Sequence, residues 1–242
     1  MTETETERGP IFSFLSWNLC MMNPSEQAPA SWRPDLAESE IRKFILELAP
    51  DFVFFQELPG MVPFVETHDL LPANTKSHCG NIATIVRKEL MKDVTAEAVD
   101  RFAVVAKIES KNLTLANVHL EPGRNGAGRR KEMLATIVNG CDTDGLVVVG
   151  DTNSRLSEEE KLATHLGLVG EKPPKATWDT RANRFREEGP KFTAYFTRYF
   201  HNEYTSVTDV KVWDEPLEHD GREFHLSDHF ALSGKASVVN SD

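Results

Sequence analysis

The sequence is poor in cysteine, in long apolar runs and in positive charge, and each shortage excludes something. Its 242 residues hold three cysteines, Cys20, Cys79 and Cys141, an odd number, widely spaced and without a CxxC pair. Neither a disulfide framework nor a structural zinc site fits that pattern, so they read as reduced thiols of a cytoplasmic protein. The neighbours His78 and Cys79 lack the spacing of a metal-ligand pair. No run of about 18 apolar residues occurs, which argues against a membrane-spanning helix. The opening MTETETERGP lacks the basic and apolar parts of a secretory signal, and the chain is expected to stay unexported. Lysine and arginine total 27 against 38 acidic residues, a formal net charge of −11. That balance speaks against a non-specific nucleic-acid coat, whose affinity comes from cations that release counterions from the polyanion. A local basic patch for a phosphate remains compatible with it.

What is present suffices for a core: 40% of the residues are hydrophobic and 9% aromatic. A single domain is expected over 10–238, with 1–9 and 239–242 as short, mobile polar ends. Strand-length apolar runs recur at Ile11–Leu19, Asp51–Gln56, Asn81–Arg87, Phe102–Ile108, Leu113–Leu120, Gly145–Gly150, Phe192–Phe200, Thr205–Trp213 and His229–Val238. Ile41, Phe44, Ile45 and Leu48 fall at helical spacing between Asp35 and Ala49, with Asp35 and Glu38 spaced like a capping box and Pro50 closing the segment. Further helices are predicted over about Ala127–Asn139, with Met133, Leu134, Ile137 and Val138 inward and Gly140 as the stop, and over about Glu158–Leu166. Strands interleaved with a few helices mean an α/β or α+β sandwich, and strands apolar on both faces mean sheets covered on both sides.

Polar residues stand at the ends of several of these strands: Asn18, Gln56-Glu57, His119-Leu120-Glu121, Asp151-Thr152-Asn153 and Asp228-His229. Taken singly, an Asp or Asn after a strand is usually a turn or helix cap, and a lone histidine a hydrogen-bonded structural residue. Taken in order, FLSWN (14–18), FVFFQE (52–57), LANVHLE (115–121), VVVGDTN (147–153) and HLSDH (225–229) resemble the ordered motif set of the endonuclease/exonuclease/phosphatase superfamily. The resemblance spans nearly the whole domain. It implies a four-layer αββα sandwich, two central β-sheets flanked by helices, with the five motifs meeting at one edge. HLEPGR (119–124), GDTN (150–153) and TWDT (177–180) look closest to the tyrosyl-DNA phosphodiesterase type.

Hydrolysis of a phosphate ester needs an activated water, neutralised phosphoryl charge and help for the leaving oxygen. The resemblance implies a Mg²⁺ (or Mn²⁺) cofactor held by Glu57, since Mg²⁺ keeps several waters and needs few carboxylates, with Asn18 and Asp228 supporting it. It assigns Asp151 to the general base and Asn153 to orienting the water and a phosphoryl oxygen. His119 and His229 would donate to the phosphoryl oxygens. Arg124, in a glycine-rich stretch before a helix, is a candidate phosphate seat, whereas Arg129 and Arg130 read as solvated basic residues. Trp178 could stack on a base or an aromatic leaving group, or plug the core; Trp17 and Trp213, within apolar strand patterns, read as core.

One position departs from the family pattern. Where an aspartate usually supports the last histidine, the stretch Phe196–Phe200 places Thr197, and the alternative register places Thr193. Another acid would have to supply the charge, Asp179 and Asp209 being nearest in sequence. The function expected is a phosphodiesterase acting on a phosphate-ester substrate at nucleic-acid ends, with two alternatives: a phosphatase or phosphodiesterase for small or lipid substrates, and a silent phosphate-binding relative.

Overall fold

The computed structural model describes residues 10–60, 62–63, 65–77, 80–155, 158 and 163–239. The first half of the chain forms β1 (Ile11–Asn18), α1 (Pro34–Leu48), β2 (Phe52–Leu58), β3 (His68–Ser77), β4 (Gly80–Arg87), β5 (Thr95–Val99), β6 (Ala103–Ile108) and β7 (Leu113–His119). The second half forms α2 (Ala127–Gly140), β8 (Gly145–Asp151), β9 (Leu168–Glu171), β10 (Trp178–Asp179), β11 (Thr193–Ala194), β12 (Thr197–Asn202), β13 (Thr205–Trp213), β14 (Leu217–His219), β15 (Arg222–Phe224) and β16 (Ala231–Val238). Two six-stranded sheets result, in the orders β13-β16-β1-β2-β4-β3 and β5-β6-β7-β8-β12-β9, while β10-β11 and β14-β15 are small ribbons.

Alternation along the strands decides the layering. Phe12, Phe14, Phe52 and Phe54 of one sheet face Leu113, Leu115, Val147 and Val149 of the other in a central core. The intervening Leu15, Val53 and Phe55 point outward onto Ala37, Ile41 and Ile45 of α1. On the other side Ala116, Val118 and Val148 pack against Met133, Leu134 and Ile137 of α2. The central strands thus bury both faces, and the order helix, sheet, sheet, helix matches the four-layer αββα expectation. Among the described residues no helix is long and apolar enough to cross a membrane.

The helices cross over between parallel strands, α1 from β1 to β2 and α2 from β7 to β8. Both parallel pairs therefore end at the same rim, where open α/β sheets place their sites. Asn18 Nδ2 reaching Asp151 Oδ2 at 2.9 Å joins the two sheets there. Behind this contact Gln56, fully buried, donates to Asn117 Oδ1 at 2.7 Å, and Asn117 Nδ2 donates to the Ala83 carbonyl at 2.9 Å. Gln56 is thus a tie between sheets.

Several local expectations change. The capping box of Asp35 and Glu38 does not form: Arg33 is the N-cap and Pro34 the first helical residue. Proline lacks the N–H that a cap would satisfy and its φ suits the first turn, so the helix starts two positions earlier than a cap at Asp35 would give, and Asp35 falls inside that turn. Phe192–Phe200 is two strands, β11 and β12, interrupted at Tyr195-Phe196. Strand β3 carries Pro72 and was not foreseen. It is an edge strand whose register shifts between Leu70 and Asn74, a place where a proline leaves no ladder bond unmade. The helix expected over Glu158–Leu166 falls largely outside the described residues, as do 1–9, 240–242, His78 and Cys79; Glu158 and 163–165 are helical.

Candidate active site

Glu57, His119 and Asp151 bring ligand atoms within 4.8 Å of one another at the rim. Glu57 sits at a register shift between β2 and β4 and has φ 53°, a left-handed conformation that swings its carboxylate off the sheet face. Gly80 makes room for this turn: a Cβ there would lie 2.9 Å from Glu57 Cα and 2.7 Å from Met21 Sδ. Asn18 donates from one amide nitrogen to Glu57 Oε1 at 3.1 Å and to Asp151 Oδ2 at 2.9 Å, while its oxygen accepts the Cys20 amide at 2.9 Å. Asn18 therefore spaces the two acids with its nitrogen. Its oxygen, with one lone pair on the Cys20 amide, keeps a second. Burial raises the pKa of Glu57; the Asn18 hydrogen bond works against that, and the charge of Asp151 adds to it.

Asp151, 1% exposed, also accepts the Asn153 amide on Oδ1 at 3.0 Å. Asn153 is left-handed too, φ 51°, and its side chain is anchored on the Leu120 carbonyl at 3.1 Å. His119 contacts Ser77 Oγ through Nδ1 at 3.1 Å, which leaves Nε2 at 3.5 Å from Glu57 Oε1 and 3.6 Å from Asp151 Oδ2. Asp228 lies outside this trio. Burial, and then the charges of Asp228 and Glu57, push the Cys20 thiol up to about 12, so it stays protonated at neutral pH.

His229 approaches from the other side, its Nε2 3.6 Å from Asp151 Oδ2. Its Nδ1 meets Thr197 Oγ1 at 3.3 Å, and Thr197 is the residue paired with Asp151 in the ladder of β12 and β8. The register with Thr197, not Thr193, is the one the fold adopts. Neither alternative acid reaches the ring: Asp179 caps the turn at Arg181, and Asp209 pairs with Lys235 at 2.9 Å. A hydroxyl thus supports the histidine without a charge. We predict that Thr197→Asp, which would place a carboxylate behind His229 Nδ1, raises the rate of hydrolysis. An unchanged or lower rate would mean that the ring needs no charge behind it.

Trp178 stands edge-on to the His229 ring at 4.8 Å and stacks on Phe192 at 6.2 Å. It is half-buried and lines, with Asp228 and Arg186, a hollow of about 210 Å³ beside the rim. The core-plug reading does not hold. Arg186 was not foreseen, and nothing marks it in the sequence beyond its charge in a polar loop. Arg124 is exposed on a single turn before α2 and makes no hydrogen bond or ion pair among the described residues. Arg129 is exposed and pairs with Glu132. Arg130 overturns the solvated reading: it is fully buried, bonded to Glu158 at 2.7 Å and to the carbonyls of Glu121 and Gly123 at 2.6 and 3.0 Å. Trp17 and Trp213 are only partly buried, against Phe44, and border a cavity.

Comparison with protein-family models finds no match, and comparison with curated protein sequences finds none either. Solved structures do match. TDP2 of D. rerio, complexed with single-strand DNA product, superposes with a TM-score of 0.70 at 17% identity over 96% of this chain and 99% of that one. An endonuclease/exonuclease/phosphatase family protein from Bacteroides thetaiotaomicron gives 0.68 at 14% identity, over 97% and 100%. The mannosyl-6-phosphatase of that organism gives 0.63 at 14%, over 93% and 99%. At these identities the likeness concerns the fold alone, which this chain shares with those proteins over nearly its whole length.

Proposed function

We propose that this protein is a divalent-metal-dependent phosphodiesterase that hydrolyses a phosphate ester with an activated water, acting on nucleic-acid ends, 5′-phosphotyrosyl links included. The observation that carries the reading is the convergence of Glu57, Asp151, His119 and His229 on one point, with Asn18 holding the two acids apart. Two carboxylates brought together at a half-buried rim, one of them with a raised pKa, form an oxygen-rich site short of positive charge, which suits Mg²⁺ or Mn²⁺. Glu57 is the assigned ligand, with Asn18 and Asp228 around it. A bound ion would supply neutralisation of the phosphoryl oxygens.

The protein's own groups do the rest. Asp151 takes the proton of the attacking water, its carboxylate held by Asn18 and the Asn153 amide. Asn153 orients that water. His119 and His229 donate from Nε2 to phosphoryl oxygens, each with Nδ1 engaged by a hydroxyl, from Ser77 and Thr197. Arg124 would hold a phosphate and Trp178 would stack on the group beside it.

Activity is expected to vanish in excess chelator and return with Mg²⁺ or Mn²⁺; full turnover in chelator would sink the assignment. A readout free of activity accompanies it: the ion should raise the melting temperature of the parent and not of Glu57→Gln, because that substitution removes the carboxylate assigned to hold it. The substrate is tested by Arg124→Ala and Trp178→Ala, expected to weaken capture of a DNA end, stacking being worth about 1–3 kcal/mol per base. If both variants bind and cleave DNA ends like the parent, a small phosphorylated substrate is favoured instead. The net charge of −11 speaks for that second reading.

A further inference from the structure

A cavity of about 350 Å³ opens between α1, the end of β13 and the segment 225–231, with His229 in its lining. Its size lies at the small end of ligand sites. Trp17, Phe44 and Trp213 form one wall, the phenyl ring lying edge-on between the two indoles at 5.8 and 5.1 Å. Both indole N–H groups are already used inside the protein, Trp17 Nε1 on the His229 carbonyl at 3.1 Å and Trp213 Nε1 on Ser233 Oγ at 2.9 Å. What the rings have left to offer a ligand is therefore ring surface, of which one face of Trp213 is already covered by Lys211 Nζ.

The charges at the mouth agree with that ring surface. Glu40, Glu47 and Glu215 line the cavity against one cation, Lys43. His225, also in the lining, adds no charge: burial lowers its pKa, and its ring is engaged at both nitrogens, by the Arg184 amide at 2.9 Å and the Asp214 carbonyl at 3.2 Å. Trp213 shows what its ring takes, since Lys211 Nζ, outside the lining, stands 3.4 Å from its centroid. An apolar recess with aromatic faces and a net negative rim selects a positive head on an apolar body.

We propose that this cavity is a second ligand site, for a small organic ammonium compound of alkyl or aryl type. The cation sits against the indole faces within reach of the rim carboxylates, and the apolar body fills the recess. The site borders the hydrolytic one, because His229 lines the cavity and Trp17 holds the His229 carbonyl. An anion or a neutral molecule of the same size has the apolar contact without the electrostatic one.

The test titrates the intact protein with benzyltrimethylammonium, benzyl alcohol and benzenesulfonate while the indole N–H signals are followed by ¹⁵N NMR. Benzyltrimethylammonium should shift the Trp17 and Trp213 signals saturably, and the other two probes should bind at least about tenfold more weakly. The double variant Glu47→Gln, Glu215→Gln, both exposed and so harmless to the fold, should weaken the cation by a similar factor. Trp213→Ala should abolish the shift at Trp17. Equal binding of sulfonate and cation, an unaltered affinity in the glutamine variant, or no saturable shift would each overturn the proposal.

Discussion

Asp151→Asn is expected to slow the chemical step by about 100-fold or more, the usual worth of a positioned general base. The carboxylate is 1% exposed and fixed from two sides, by Asn18 Nδ2 at 2.9 Å and the Asn153 amide at 3.0 Å. Asparagine keeps the volume and can still accept from Asn153, but it cannot take a proton from water. Its own NH₂ would meet that of Asn18, whose oxygen accepts the Cys20 amide. One hydrogen bond is lost, while repulsion toward Glu57 is relieved, so stability should change little. Single-turnover rates with saturating Mg²⁺, beside thermal unfolding of the same preparation, separate the two effects. A rate within a few-fold of the parent would remove Asp151 as the base. A collapse of stability would make any rate loss uninformative, and the comparison would then pass to Asp151→Ser.

The second large effect concerns folding. Arg130→Ala is expected to cost about 3–5 kcal/mol, the range for breaking a buried ion pair from one side. Arg130 is 0% exposed, its guanidinium shared between Glu158 and the carbonyls of Glu121 and Gly123. Gly126 is part of the arrangement, because a Cβ there would lie 2.6 Å from Arg130 Nη1. Removing the side chain leaves a carboxylate 15% exposed and two carbonyls without their donor, in the stretch that runs from His119 to Arg124. Lysine should recover little, since one ammonium cannot reproduce the planar fork. Urea unfolding measures it; a loss under about 1 kcal/mol would mean that water replaces the guanidinium easily and that Arg130 is the ordinary surface residue its sequence context suggests.

Much of the site was legible because its residues end strands that announce themselves by apolar runs. Asn18, Glu57, His119 and Asp151 each follow such a run, and strand ends at a common rim bring them together. The neighbours that tune them were not legible in the same way. Ser77 comes from an edge strand with a proline in it, and Arg186 from a loop with no periodicity. Asn117 looks like one more polar residue in a buried strand, and only the opposite sheet explains it as Gln56's partner.

The sequence by itself determined the strands, the helices and the chemical inventory, because a period of two or of 3.6 residues is a local property, whereas the four-layer packing was implied only by the family resemblance. It also placed a threonine at the position that faces the last histidine. Tertiary structure alone decided the rest, since a charged side chain's burial depends on what lies across from it. Arg129 and Arg130 are adjacent and alike in sequence, yet one meets solvent and Glu132, while the other is enclosed by Glu158 and two loop carbonyls. Trp17 and Trp213 read as core for the same reason: an apolar pattern says which face turns inward, not whether the space beyond it is filled.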